Sequence, residues 1–385
     1  MRSSVLKFVE DLTQNAPRIS KDAVINYALK NFEFVQDRKV YRNNYFAVRF
    51  SYSKNHSFSN TILSLSDLEK YDKIPFLVCL LSEQSTISFY LANSTFLKKV
   101  SHSSHNLSIN NIVGSFNGSD IMRSYEEIEN KPCNFEKLFA IHQGWDWTDN
   151  LARLVEASSA VKASSKRFIP TPREKTNILN SINHAIKFCA HSNFKILFED
   201  LNYRCSKAKD LILVASRIEN VNIRGRIIEY LITTNEEGRN RIASQLREME
   251  NALPVYDTQN GLGDYIRKFE NDDTYTDIKT KVIYLKSNPK AFNIDKFLRC
   301  MSEETAVFLF YFVGINEDNN IETVLCPVYC KKLIEGTRIQ THWSGRSSRG
   351  VTQFDGEMIN NLIKKKNIAI DDQKAKDWVQ YLLEL

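Results

Sequence analysis

The segment Gly263-Asp264-Tyr265-Ile266-Arg267-Lys268-Phe269-Glu270-Asn271-Asp272-Asp273-Thr274-Tyr275-Thr276-Asp277-Ile278-Lys279-Thr280-Lys281 constrains the fold of this chain more than any other. Its centre, Glu270 to Asp273, is rich in turn-forming residues. β-Branched and aromatic residues flank it, so the whole reads as a β-hairpin. Side chains alternate faces along a strand, which predicts Asp277, Lys279 and Lys281 on one side and Ile278 and Val282 toward the core. Asp264 opens the partner strand, where its carboxylate can approach the same edge. Helical spacing follows over Asn293 to Met301, and then come two apolar strands, Ala306 to Gly314 and Glu322 to Tyr329. Upstream, Glu174 to Cys189, Asp210 to Thr234 and Glu236 to Glu250 read as helices. Helices, hairpin, helix, strand, strand is the order of an α/β domain with a mixed sheet.

Two carboxylates and a lysine at one sheet edge have a definite chemical use. Hydrolysis of a phosphodiester calls for a hard divalent cation held by oxygen ligands, which activates water and offsets transition-state charge. An ammonium beside it can orient or deprotonate the water and neutralise developing charge. The bland alternative is a surface hairpin with solvated charges, since Asp-x-Lys alone is common.

With its helix and apolar strand in order behind it, the hairpin resembles the PD-(D/E)xK nuclease superfamily, to which many type II restriction endonucleases belong. Gly263-Asp264 stands for the first motif and Asp277-Ile278-Lys279 for the second, with Gly in place of the name-giving Pro and Asp in place of the commoner Glu. The resemblance covers about a third of the chain. It implies Asp264 and Asp277 as metal ligands, Lys279 as the catalytic lysine, Mg²⁺ as cofactor and double-stranded DNA as substrate. It also implies that a helix ahead of the hairpin contributes a further acid. Glu229, within the helical run Asn222 to Ile232, is the candidate for both metal binding and catalysis; pairing with Arg226 is the alternative.

Thr341-His342-Trp343-Ser344-Gly345-Arg346-Ser347-Ser348-Arg349-Gly350 is a short loop with two arginines, glycines and hydroxyls. Arginine binds phosphate or the guanine edge in bidentate fashion, and glycine permits close backbone approach. Arg346, Arg349, His342 and Trp343 are therefore expected to contact DNA, together with Lys281 from the hairpin. A basic, Gly-rich surface turn is the alternative.

A composition shift from Glu156 to Pro172, small and polar and closed by two prolines, reads as a linker. It divides an N-terminal domain, 1–160, from the nuclease domain, 170–385. Ahead of it lie a helix from Asp22 to Phe34 with Ser20 as its cap, and short strands at Tyr45 to Tyr52, Phe76 to Leu81, Thr86 to Leu91 and Leu107 to Phe116. This α+β, sheet-rich part is expected to recognise DNA or to regulate. Lys98 to Asn106 offers polar donors to DNA, while His102 and His105 lack a third metal ligand. Trp145-Asp146-Trp147 reads as interdomain packing rather than a base-stacking platform.

The seven cysteines form no Cys-x-x-C pair and are flanked mainly by apolar residues, which suits core thiols in a reducing compartment. No secretory h-region and no membrane-length apolar run is present, so a soluble cytoplasmic protein is expected. A formal charge of +6 permits a polyanionic partner without requiring one. There is no Gly-x-x-x-x-Gly-Lys-[Ser/Thr], and hence no nucleotide cofactor is expected.

The combined expectation is a Mg²⁺-dependent type II restriction-like endonuclease, acting on double-stranded DNA as a homodimer in host defence. One alternative is a defence nuclease triggered by a ligand or partner. Another, of a different class, is a non-catalytic DNA-binding protein on a decayed nuclease fold.

Overall fold

Ten consecutive residues, Ala306–Ile315, form a strand in which every residue is buried. A run without polar alternation must be covered on both faces. In the computed structural model, which describes residues 4–17, 20–53, 62–82, 87–103, 114–247, 262–342 and 346–385, this strand is the axis of a four-stranded mixed sheet. It pairs in parallel with Asp273–Val282, from Asp273 opposite Ala306 to Val282 opposite Ile315. A parallel pair needs a crossover, and the helix Ile294–Met301 lies within it. Ile321–Pro327 lies antiparallel on the other side, and Tyr265–Lys268 completes the hairpin with Asp273–Val282.

Helix Pro172–Ala190 packs on the Ala306–Ile315 strand, Val221–Thr233 on Asp273–Val282, and Gly356–Lys365 on Ile321–Pro327. A smaller sheet holds Lys290–Asn293, Gly350–Phe354 and Thr337–Thr341 in that order. The fold is mixed α/β with mixed sheets. The helical run expected from Asp210 to Thr234 is broken. Lys209–Ala215 ends, and Val221–Thr233 starts anew because the Asn220 side chain accepts hydrogen bonds from Asn222 N at 3.1 Å and Ile223 N at 3.2 Å.

Contacts divide the chain into two units: Met1–Ser165 with Gln340–Arg346, and Lys166–Ile339 with Ser347–Leu385. The stretch Gln340–Arg346, expected in the nuclease domain, thus groups with the N-terminal unit. The far end of the expected linker is not loose either. Phe168 is buried, and its backbone N–H donates to Asp295 Oδ1 at 2.9 Å.

The first unit carries a five-stranded sheet in the order Val35–Asp37, Val40–Arg42, Ala47–Ser53, Phe76–Ser82, Ile87–Leu91. Phe76–Ser82 is buried throughout and runs parallel to Ala47–Ser53. Helix Lys21–Asn31 is capped by Ser20, whose Oγ accepts from Ala23 N at 3.1 Å. Phe8, from helix Ser4–Asn15, is fully buried among Phe32, Phe34, Phe46 and Phe89. Most of the expected strand Leu107 to Phe116, with His105, lies outside the described residues; Gly114–Asn117 is a strand. Among the described residues no helix is long and apolar enough to cross a membrane.

Candidate active site

The backbone turns at Gly263, just ahead of the hairpin's first strand, with a φ of +83°. A Cβ there would lie 3.1 Å from Tyr275 Cβ and 3.2 Å from Thr276 N. Proline cannot reach this conformation and a side chain does not fit the space, so glycine is the residue this turn needs. The turn delivers Asp264 directly onto the neighbouring strand. Its N–H donates to Thr276 O at 2.8 Å, and its Oδ2 accepts from Ile278 N at 2.7 Å.

Asp277, one residue before Ile278, lies beside that carboxylate and is 6% exposed. Asp264 and Asp277 share a hydrogen bond. Lys279 Nζ donates to Asp277 Oδ1 at 2.8 Å. Glu229 arrives from the helix Val221–Thr233, is half-buried and hydrogen-bonds to Asp264. Four side chains from one helix and two strands are thus brought together: Glu229, Asp264, Asp277 and Lys279.

Three acids enclosed beside a single ammonium are hard to ionise together. Burial, with Asp264 adding to it and Lys279 opposing, pushes the Asp277 carboxyl up to about 8. Burial likewise raises Asp264, with Glu229 adding to it while Asp277 and Lys279 oppose, and raises Glu229, with Asp277 adding to it while Lys279 and Asp264 oppose. Burial alone would lower Lys279, but Asp277, Asp264 and Glu229 outweigh it and hold the ammonium above its ordinary value. The three acids thus favour the charged form of Lys279. Among the described residues no group of three or more His, Cys, Asp or Glu side chains is placed so that it could hold a metal ion. The carboxylates instead hydrogen-bond to one another and to Lys279.

A stability consequence follows. An aspartate ionises near pH 4 in an unfolded chain, but at about 8 for Asp277 in the fold. Between those values the folded state keeps a proton that the unfolded state releases, so rising pH erodes stability across that window and levels off above it. Asp277→Asn cannot ionise, and Lys279 keeps Asp264 and Glu229 as partners. The variant is expected to be more stable than wild type at pH 8, on the order of a few kcal/mol, with the gain fading toward pH 4. Urea denaturation at pH 5 and pH 8 measures this; equal stability at both would contradict it.

A second set of residues supports the first strand and has no signal in the sequence. Tyr265, next to Asp264, donates its hydroxyl to Asp200 Oδ2 at 2.5 Å. Arg267 Nη1 approaches the same oxygen at 3.3 Å, and Arg204 Nε donates to Asp200 Oδ1 at 3.3 Å. The Arg204 guanidinium also lies 4.8 Å from the Tyr265 ring centre. Asp200 is 65 residues from Tyr265, so only tertiary structure reveals the pairing.

The residues expected to contact DNA fare differently. Lys281 does share a strand with Asp277 and Lys279, but it is 2% exposed. Its ammonium donates to the Leu285 carbonyl and to Ser287 Oγ, the latter at 3.1 Å. Burial, with Arg224 nearby, lowers its pKa. It fastens the end of the strand and is not available to DNA. Arg349 is 8% exposed and ion-paired to Asp295, with Nη1 donating to Phe168 O at 2.8 Å. It is an interior cross-link, because a buried guanidinium needs a carboxylate more than a surface one does. Arg346 and His342 are half-buried and belong to the stretch grouped with the first unit. Trp343 lies outside the described residues.

No protein-family model matches the chain, and a search of curated proteins finds no match.

Proposed function

We propose that the second unit is a Mg²⁺-dependent DNA endonuclease of the PD-(D/E)xK type, in which Asp264, Asp277 and Glu229 hold the metal and Lys279 assists. The observation that carries this reading is the convergence of three enclosed carboxylates on one lysine at the start of a hairpin. The helix Ile294–Met301 and the buried apolar strand Ala306–Ile315 that come after the hairpin support the resemblance. The donor set offers only oxygen, which suits a hard cation, and its acids outnumber its lone ammonium. A bound Mg²⁺ supplies charge that acidifies water and offsets the charge developing on the phosphodiester.

The chain's own residues divide the remaining work. Asp264 is aimed by the Ile278 N–H, and its strand is braced by Tyr265 on Asp200. Lys279, held charged by its neighbours, stabilises negative charge on the phosphate or leaving oxygen. Cleavage of both strands of duplex DNA by a homodimer, as a restriction enzyme in host defence, completes the proposal.

The test uses supercoiled plasmid, methylated and unmethylated, with the purified full-length protein. With millimolar Mg²⁺ at least one plasmid should be nicked and linearised, and EDTA should stop the reaction. No cutting of either plasmid in Mg²⁺ or Mn²⁺, or cutting that survives EDTA, would end this reading.

A further inference from the structure

A cavity of about 510 Å³ lies wholly within the first unit. Its aromatic walls are Phe139, Trp145 and Trp147. Trp145 is 48% exposed, a large apolar surface left in water. The loop that presents it is tightly built. Gly144 N donates to Ile141 O at 3.1 Å and Trp145 N to His142 O at 3.0 Å. Asp146 Oδ1 accepts from Asp149 N at 2.8 Å and so caps the helix Trp147–Ser159. The backbone that carries both tryptophans is therefore held in place before anything binds. The Trp147 indole Nε1 is enclosed and makes no hydrogen bond.

The floor is already satisfied. His142, 4% exposed, has Nδ1 2.8 Å from Thr95 Oγ1 and Nε2 2.7 Å from Asp72 O. The Asp72 carboxylate accepts from Ser94 N at 2.8 Å and from the Ser94 hydroxyl. Exposed polar groups stand at the mouth: Glu69, Lys73, Gln143 and Asp146, whose Oδ2 is not the oxygen that caps the helix.

Three features select the ligand. Indole and phenyl faces take a flat ring. Glu69 and Asp146 accept hydrogen bonds from ring or exocyclic N–H groups, as carboxylates do from the cytosine amino group. Lys73 and Gln143 can donate to ring nitrogens or carbonyl oxygens. Acids outnumber the lone lysine, so a phosphate is repelled and must remain outside. A simple organic cation would suit the aromatics and the acids, but Lys73 opposes it. We infer that this cavity binds an amino-bearing nucleobase, stacked on Trp145 and read at its mouth by Glu69 and Asp146. The base comes either from a free nucleoside or from DNA with the base turned out of the stack.

Binding is measured on the full-length protein in EDTA, by titration calorimetry and ligand-observed NMR. The probes are adenosine, cytidine, thymidine, choline, and a short DNA duplex with or without one unpaired cytosine. Adenosine or cytidine, or the duplex with the unpaired base, should bind at least tenfold more tightly than thymidine or the perfect duplex. Trp145→Ala should weaken that binding at least tenfold with an unchanged thermal midpoint. Glu69→Ala with Asp146→Ser should remove the preference for amino-bearing bases, because the serine hydroxyl can keep the helix cap but is shorter than the carboxylate. Equal affinity for nucleoside and unpaired-base duplex identifies a free nucleoside as the ligand, and tighter binding of the duplex identifies an extruded base. Failure of every base to bind, choline binding as tightly, or full affinity in Trp145→Ala would overturn the inference. Because the metal is chelated throughout, the result is independent of whether the second unit cuts DNA.

Discussion

Asp277→Ala is expected to lower the rate of DNA cleavage by at least about a thousandfold, equivalent to roughly 4 kcal/mol of transition-state stabilisation. Asp277 sits between the other functional groups. It shares a hydrogen bond with Asp264 and accepts from Lys279 Nζ at 2.8 Å, so its removal takes away a proposed metal ligand and the lysine's hydrogen-bond acceptor together. Asp264→Ala should be comparably severe, since its carboxylate is fixed by the Ile278 N–H at 2.7 Å and cannot be replaced from elsewhere. Lys279→Ala should cost rate but leave the metal requirement intact, because the lysine supplies charge and not a ligand. Glu229→Gln should cost less than either aspartate, since Glu229 reaches the cluster from the helix and is only half-buried. Single-turnover cleavage at saturating protein, with circular dichroism as the control for folding, separates these effects. Wild-type rates in Asp277→Ala would remove the cluster from the chemistry, whatever the other variants show.

The parts of this site that could be read from the chain are those that local geometry brings together. A turn at Glu270 to Asp273 folds two strands against each other, and period-2 alternation then sets Asp277 and Lys279 side by side. Glu229 was accessible only as one position on an amphipathic run; packing of that helix on the strand Asp273–Val282 directs it to the acids. Alternation also shows where reading of this kind stops. It puts Lys281 on the correct side of the strand but says nothing of depth, and the turn at Leu285 to Ser287 takes up its ammonium. Arg349 carries the same lesson more strongly. Its surroundings in sequence are serine, glycine and arginine, the composition of an exposed turn, while its partner Asp295 is 54 residues away. Phe168 lies in a stretch of serines and lysines and is nevertheless anchored by that same aspartate.

Asp295→Ala is expected to destabilise the protein by about 3–5 kcal/mol, the usual cost of leaving one member of a buried ion pair without the other. Asp295 is 6% exposed and serves three N–H donors: Arg349 Nη1 and Arg349 N at 2.5 Å each, and Phe168 N at 2.9 Å. Removing its carboxylate strands the Arg349 guanidinium, whose Nε is already buried without a hydrogen-bond partner. It also frees the backbone of Phe168, so the segment from about 160 to 172 should become more sensitive to protease. The double replacement Asp295→Leu with Arg349→Met removes both charges and should recover much of the loss, because no buried charge then remains unpaired. These outcomes distinguish an interior cross-link from a DNA contact. Were Arg349 instead a surface contact to phosphate, Arg349→Met would leave urea denaturation unchanged and weaken DNA binding in Ca²⁺ on every sequence, with a shallower salt dependence. Asp295→Ala at wild-type stability would have the same meaning, and Arg349 would again be a candidate DNA contact.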